Sequence, residues 1–351
     1  MNQAAGIRLR TQRLTSAPLR TPAEATAWLG AVQSQEYGVA KWSVGLRSRN
    51  AADADVERAY ADGEILRTHV LRPTWHFVAR DDIRWMLDLT APRIHAQLAG
   101  RRRKLELDER FVTKAARVLT RALENGAHRT RTQLQKILEA ERIELNNERL
   151  GHVMMLLELD ALVCSGELAG RQHTYALLHE RAPNAQTRGR DEALGELARR
   201  YFQGHGPATA KDLVRWATLT LSDARRAIDI LGSDVERASV GEEIWYRVGS
   251  PPRRSPKAPR ALLLQIYDEY IGGYGGTRHV VDPFDVMHVN PAYKLSFMHV
   301  VVLDGHVIGH WRPAAKKTRG AVDLKLARPL ERSDRDEVEA AVARYRTFAS
   351  T

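Results

Sequence analysis

Residues able to do chemistry gather at a few places along the chain. Tyr267-Asp268-Glu269-Tyr270 carries two adjacent carboxylates, a residue type that serves general acid–base catalysis. Neighbouring side chains on a strand point to opposite faces. The pair is therefore not expected to converge on one bond, and capping with salt bridges between domains is the plainer reading. The glycine-rich run that follows, Gly272-Gly273-Tyr274-Gly275-Gly276, lacks the Lys-Ser/Thr ending and the βαβ setting of a phosphate-binding loop. No Gly-x-Ser-x-Gly elbow occurs. The segment from Arg67 to His76 packs Arg67, His69, Arg72, Trp75 and His76 into a short hairpin, a composition suited to phosphates and bases. His69 and His76 have no carboxylate near them in sequence, which is poor spacing for a metal pair. Packing in a core is the plainer reading of Trp75.

Cations form three runs: Arg101, Arg102, Arg103 and Lys104 just after a predicted helix; Arg253, Arg254, Lys257 and Arg260 in a proline-rich stretch; and Lys316, Lys317 and Arg319. A single run is as readily a solvated face, but several together supply the scattered positive points that a phosphate backbone needs. The chain of 351 residues has 54 Lys and Arg against 43 Asp and Glu, a net charge of +11, which favours a polyanionic partner and above all nucleic acid. Cys164 is the single cysteine, which excludes an intrachain disulfide and any cysteine-based metal site. No metal or cofactor is expected. The N-terminus lacks the apolar core of a signal peptide, and no apolar stretch approaches the roughly 20 residues that span a bilayer. A cytoplasmic, nucleoid-associated protein without a membrane partner is expected.

The elements that must position these residues follow a repeated pattern of short amphipathic helices and then two short apolar strands around a polar turn. This is the grammar of a winged helix. The middle of the chain holds two copies, one with a helix start at Thr130-x-x-x-Leu134 and a hairpin tip at Gly166-Glu167, the other repeating that start as Thr209-x-x-x-Leu213, with a Ser222-capped helix and a tip at Gly241-Glu242. The first hundred residues read the same way. Helices are expected from Pro22 to about Gln35, near Tyr37 to Leu46 and from Asp53 to Ala61, then strands Leu66 to Val70 and Trp75 to Val78 turning at Arg72-Pro73, and a closing helix. Beyond the proline-rich stretch, strands at Ala261 to Leu264, Met298 to Leu303, Val307 to Trp311 and Ala321 to Leu326, with Asp304-Gly305 as a two-residue hairpin turn between two of them, precede a helix from Ser333 to about Phe348. The expected class is α+β, mostly helical, with winged-helix units over residues 1–105, 106–188 and 189–249 and a strand-rich region over 250–351.

One short segment gains meaning only from its company. Gln33-Ser34-Gln35 places two amides at alternate positions near a helix end, where glutamine ordinarily supplies capping or surface polarity. Together with Arg67 to His76 and Tyr267 to Tyr270, it resembles the winged-helix DNA glycosylases of the AlkZ/YcaQ type, and the likeness runs over nearly the whole chain in the same order. The resemblance implies three tandem winged helices around a channel for duplex DNA, with a Gln-x-Gln motif, or a Gln-x-Asp variant, at the catalytic centre. Gln33 and Gln35 match that motif. Ser34 stands where the family usually has a small or aliphatic residue.

A side-chain amide does not titrate near neutrality, so Gln33 and Gln35 cannot act as general bases. They can place a water and face a cationic sugar with their carbonyl dipoles. A purine alkylated at N7 already carries the positive charge that makes it leave. The expected reaction is hydrolytic, monofunctional excision by a monomer on double-stranded DNA, and the resemblance implies cationic N7-alkylpurines as the lesions, with bulky adducts or crosslinks as candidates among them. Gln35 is assigned to the water and Gln33 to the sugar or the water. The competing reading is a non-enzymatic winged-helix DNA-binding protein or transcription regulator, which commonly dimerises to read two half-sites. Three fused units need no such pairing.

Overall fold

The structure is a computed structural model and describes residues 2–287, 299–314 and 320–350. The cations Lys316, Lys317 and Arg319 lie outside the described residues. Helix dominates the described residues, with small antiparallel sheets between, so the molecule is of mixed α and β structure. No helix among the described residues is long and apolar enough to cross a membrane.

After the first helix, α1 (Asn2–Thr11), come α2 (Pro22–Leu29), β1 (Ala31–Gln33), α3 (Tyr37–Gly45), α4 (Asp53–Ala61) and the hairpin β2 (Ile65–His69) and β3 (Trp75–Ala79). The Thr21 side chain accepts the Glu24 N–H and Pro22 occupies the first turn, so α2 starts where the sequence requires. It stops six residues short of the expected end. Gly30 takes φ of +78°, a conformation that ends a helix and that glycine alone adopts cheaply. The chain then leaves in extended form, Ala31 and Val32 fully buried, with Ala31 opposite Val78, Val32 opposite Phe77 and Gln33 opposite His76. Gln33 therefore sits at the end of a strand, and the expected helix over this motif is corrected.

The long α5 (Ile83–Lys104) contains Arg101, Arg102, Arg103 and Lys104 in its last turn, where the sequence reading placed them beyond the helix. Cations there face the exposed carbonyls of the helix end and favour its continuation.

Two further sets follow: α6 (Glu109–Ala122), β4 (Arg129–Thr130), α7 (Arg131–Ala140), α8 (Asn147–Leu159), β5 (Val163–Ser165), β6 (Thr174–Leu177) and α9 (Leu178–Arg181); then α10 (Arg190–Gly204), β7 (Ala208–Thr209), α11 (Ala210–Ala217), α12 (Leu221–Leu231), β8 (Val235–Val240) and β9 (Glu243–Val248). Their sheets run β4-β6-β5 and β7-β9-β8, repeating the β1-β3-β2 order of the first set. Thr130 and Thr209 each end a short strand and also cap the next helix in a reciprocal box with Gln133 and Asp212. Thr220, not Ser222, caps α12, because its hydroxyl accepts the Asp223 N–H at 2.9 Å.

The C-terminal part holds β10 (Ala261–Leu264), the one-turn α13 (Glu269–Gly272), β11 (His299–Leu303), β12 (His306–Pro313), β13 (Val322–Leu326) and α14 (Arg332–Ser350). These strands form one antiparallel sheet in chain order. Asp304 and Gly305, both at positive φ, make the expected two-residue turn. Apolar packing ties the sets together around the first sheet. One cluster joins Val70, Leu71 and Val78 to Tyr201, Leu213 and Trp216 of the third set, and another joins Val32 and Phe77 to Leu263, Val301 and Trp311 of the C-terminal sheet.

Candidate functional site

The end of β1 is where these packed elements meet. Gln33, 8% exposed, has its main chain held from the C-terminal part: Glu269 Oε1 accepts its N–H at 3.2 Å, and Gln265 Nε2 donates to its carbonyl at 3.2 Å. Its side chain is held from the hairpin. Arg72 Nη2 donates to Gln33 Oε1 at 3.0 Å, and Arg72 Nη1 donates to the Trp216 carbonyl at 2.6 Å. Trp216 Nε1 in turn donates to Glu269 Oε2 at 2.8 Å. Gln33, Arg72, Trp216 and Glu269 thus close a ring of hydrogen bonds that begins on the Gln33 side chain and returns to its main chain.

His76 and His205 flank this ring, both fully buried. The arginine can only donate and the Thr74 carbonyl can only accept. With Arg72 Nη2 at 2.9 Å from Nε2 and the Thr74 carbonyl at 2.8 Å from Nδ1, His76 is the neutral tautomer with its proton on Nδ1. Burial first, and the Arg72 charge second, push its pKa well below the ordinary value. Burial also lowers the pKa of Arg72, against which Glu269 acts. His205 Nε2 lies 3.2 Å from Glu269 Oε2, on the side opposite to the Gln33 contact.

Gln35 is exposed and lies on a bend between β1 and α3. Between the two amides, Ser34 is fully buried, donates its N–H to the Trp75 carbonyl at 2.7 Å and accepts Arg67 Nε at 3.1 Å. Its hydroxyl has no partner among the described residues.

The other hairpin residues build the site's supports. Arg67 and His69 are each 7% exposed, and His76 not at all, so they do not form the open cationic surface that composition led one to expect. Both faces of the hairpin are covered: the Arg67 guanidinium stacks 4.3 Å from the Trp75 ring of β3, and His69 pairs through Nδ1 with Glu158 of the second set. Trp75 is half-buried and, with His69, Arg131, His152 and Tyr175, lines a cavity of about 460 Å³. Among the cations ending α5, Arg101 pairs with Glu148, Arg102 Nε donates to the Leu107 carbonyl at 2.8 Å, and Arg103 and Lys104 are exposed.

Four members of the site escaped sequence reading in this role: Trp216, His205, Gln265 and Glu269. In sequence Glu269 is half of a carboxylate pair, and its partner Asp268 caps α13 and forms a buried ion pair with Arg47 at 2.8 Å. The contact from Glu269 to Gln33 spans 236 residues, and no spacing rule bridges that interval. The glycine-rich run has a structural role: the N–H groups of Gly275, Gly276 and Thr277 converge on Asp212 Oδ1. Among the described residues no group of three His, Cys, Asp or Glu is placed to hold a metal.

Comparison with known proteins gives a consistent picture. The AlkZ-like family, described as DNA glycosylase AlkZ-like, matches residues 26–348. An interstrand DNA cross-link repair glycosylase of Streptomyces sahachiroi is 25% identical over 324 residues, covering 86% of this chain and 85% of that protein. The solved structure of Streptomyces sahachiroi DNA glycosylase AlkZ shares the fold, with a TM-score of 0.79 at 21% identity, over 100% of this chain and 96% of that one.

Proposed function

The chain belongs to the AlkZ-like family of DNA glycosylases, and on that premise we propose that it hydrolyses the N-glycosidic bond of cationic N7-alkylpurines in duplex DNA. The Streptomyces relative's name extends the proposed substrates to interstrand crosslinks. The observation that carries the reading is the fixed amide of Gln33. Arg72 occupies one lone pair of its oxygen, and an amide oxygen has a second. That lone pair faces a developing oxocarbenium ion or orients a water without any proton changing hands. Gln35, exposed and only two residues on, holds the attacking water. A base already cationic at N7 needs no general acid, which suits a motif that has none.

The repeated sheet order supports reading the three helical sets as winged helices that surround the duplex. Arg103 and Lys104 are its phosphate contacts in the described part of the chain, joined by Lys316 and Lys317, with Trp75 at the edge of the groove. The protein acts as a cytoplasmic, nucleoid-associated monomer with no metal or cofactor, and the reaction is monofunctional. The deciding experiment incubates the purified protein with a duplex bearing one N7-methylguanine and scores abasic sites by strand scission in hot alkali. Scission at the lesion in proportion to enzyme is the expected result. Tight duplex binding with no abasic product would replace the enzyme by a non-enzymatic DNA-binding protein.

A further inference from the structure

We propose that Glu269 is a positioning residue for the Gln33 amide, and that its buried negative charge offsets Arg72 so that the amide oxygen faces a site without net positive charge. This rests on the glycosylase reading and adds to it a residue outside the Gln-x-Gln motif. Glu269 is 1% exposed and bonded at both oxygens, to Gln33 N at 3.2 Å on one side and to Trp216 Nε1 at 2.8 Å and His205 Nε2 at 3.2 Å on the other. A buried carboxylate so held is costly unless something at the site requires its charge.

The requirement lies in Arg72. Its guanidinium fixes the Gln33 oxygen at 3.0 Å, yet a permanent cation there opposes the positive charge that grows on the sugar as the bond breaks. His76, the other group on Arg72, is held neutral by burial and by that same arginine, so it adds no second positive charge and, as an imidazole, can offset none. Glu269 does, through the Trp216 bridge that touches both: the ring N–H on the carboxylate and the carbonyl on the guanidinium. Charge compensation and placement of the amide come from one residue, and Arg72 gives rigidity without an electrostatic penalty.

The test compares Glu269→Gln, which keeps shape and removes charge, with Arg72→Gln and with the double variant. Single-turnover excision of N7-methylguanine should slow by about 10- to 100-fold in Glu269→Gln, with duplex affinity within about threefold of the parent. If Glu269 works by offsetting Arg72, the double variant should be less impaired than the product of the two single effects. A merely structural carboxylate would lower duplex affinity together with rate and give multiplicative effects. Hydrogen exchange of the peptide covering residues 31–37, read by mass spectrometry, provides an arm that needs no activity. Exchange should quicken there in Glu269→Gln while the peptide covering residues 150–160 keeps its rate. Should the parent protein excise nothing, the glycosylase reading fails on its own, and this arm alone decides the placement. Unchanged exchange at 31–37, or excision at the parental rate, overturns the proposal.

Discussion

The Arg72 guanidinium lies 3.0 Å from the Gln33 side-chain oxygen while its second terminal nitrogen holds the Trp216 carbonyl at 2.6 Å. Two bonds to a planar, rigid fork fix the orientation of the guanidinium, and the guanidinium fixes which end of the amide faces it. A flipped Gln33 would set its NH₂ against another donor, so the oxygen end is the one that stays. Orientation of a neutral group, which no pKa shift could report, is thereby built into the fold.

Buried histidines make stability depend on pH in a stated direction. Burial lowers His299 and His173 to about 4 and holds His76 well below its ordinary value, whereas an unfolded histidine titrates near 6.5. Between those values the unfolded chain binds more protons than the folded one. The stabilisation is therefore complete above about pH 6.5 and is lost as pH falls toward 4. For His299, 5% exposed, it amounts to at most about 3 kcal/mol, less the attraction of Glu36, whose carboxylate is 3.5 Å from Nε2. The urea midpoint should fall steadily from pH 7 to pH 5, and a flat midpoint would contradict it.

The end of α5 should separate binding from folding. Arg103 and Lys104 are exposed, whereas Arg102 holds the Leu107 carbonyl at 2.8 Å. Replacing Arg103 and Lys104 together by Ala is expected to weaken duplex binding at constant melting temperature and to lower the slope of log affinity against log salt by up to about 2. Arg102→Ala should instead lower the melting temperature. An unaltered salt slope in the double variant would make the two cations a solvated face.

Much of this fold was legible because local rules and tertiary packing agree in it. The caps at Thr130 and Thr209 and the turn at Asp304-Gly305 appear where composition placed them. The Gln33 segment reads as helix in sequence because Ala31-Val32 fits either state, and the choice for strand is made by Gly30 and by the partner strand Trp75–Ala79. The Gln-x-Gln motif was legible by resemblance, and its supports were not. Glu269, Trp216 and His205 come from distant elements, and no local spacing joins them to Gln33.

Lys41, six residues beyond Gln35, is the nearest primary amine in sequence and the natural candidate for a Schiff base with the sugar. It is 7% exposed, and its Nζ is paired with Asp53 at 2.8 Å and Glu57 at 2.5 Å. Buried and held by two carboxylates, the Nζ is engaged in ion pairs and is not presented to a sugar. Borohydride added during turnover should therefore trap no covalent protein–DNA complex. A trapped complex that disappears in Lys41→Gln would show a lyase mechanism in place of hydrolysis by water.

The two glutamines should fail in different ways. Gln35 is exposed on a bend, so Gln35→Ala removes an amide without disturbing packing. Its melting temperature and duplex affinity should stay at parental values while single-turnover excision falls by roughly 10²-fold, the usual loss when a group acting on the transition state is deleted. Gln33 is an acceptor for Arg72 inside the ring, and Gln33→Ala leaves a half-buried guanidinium short of a partner. A buried donor stripped of its acceptor costs about 1–3 kcal/mol, so this variant should lose stability as well as excision. Gln33→Glu gives a sharper reading, since it keeps an acceptor for Arg72 but adds a charge. It should recover the melting temperature, and its excision should acquire a dependence on carboxylate ionisation that the parent lacks. Parental excision in both Gln35→Ala and Gln33→Ala would take the motif out of the mechanism.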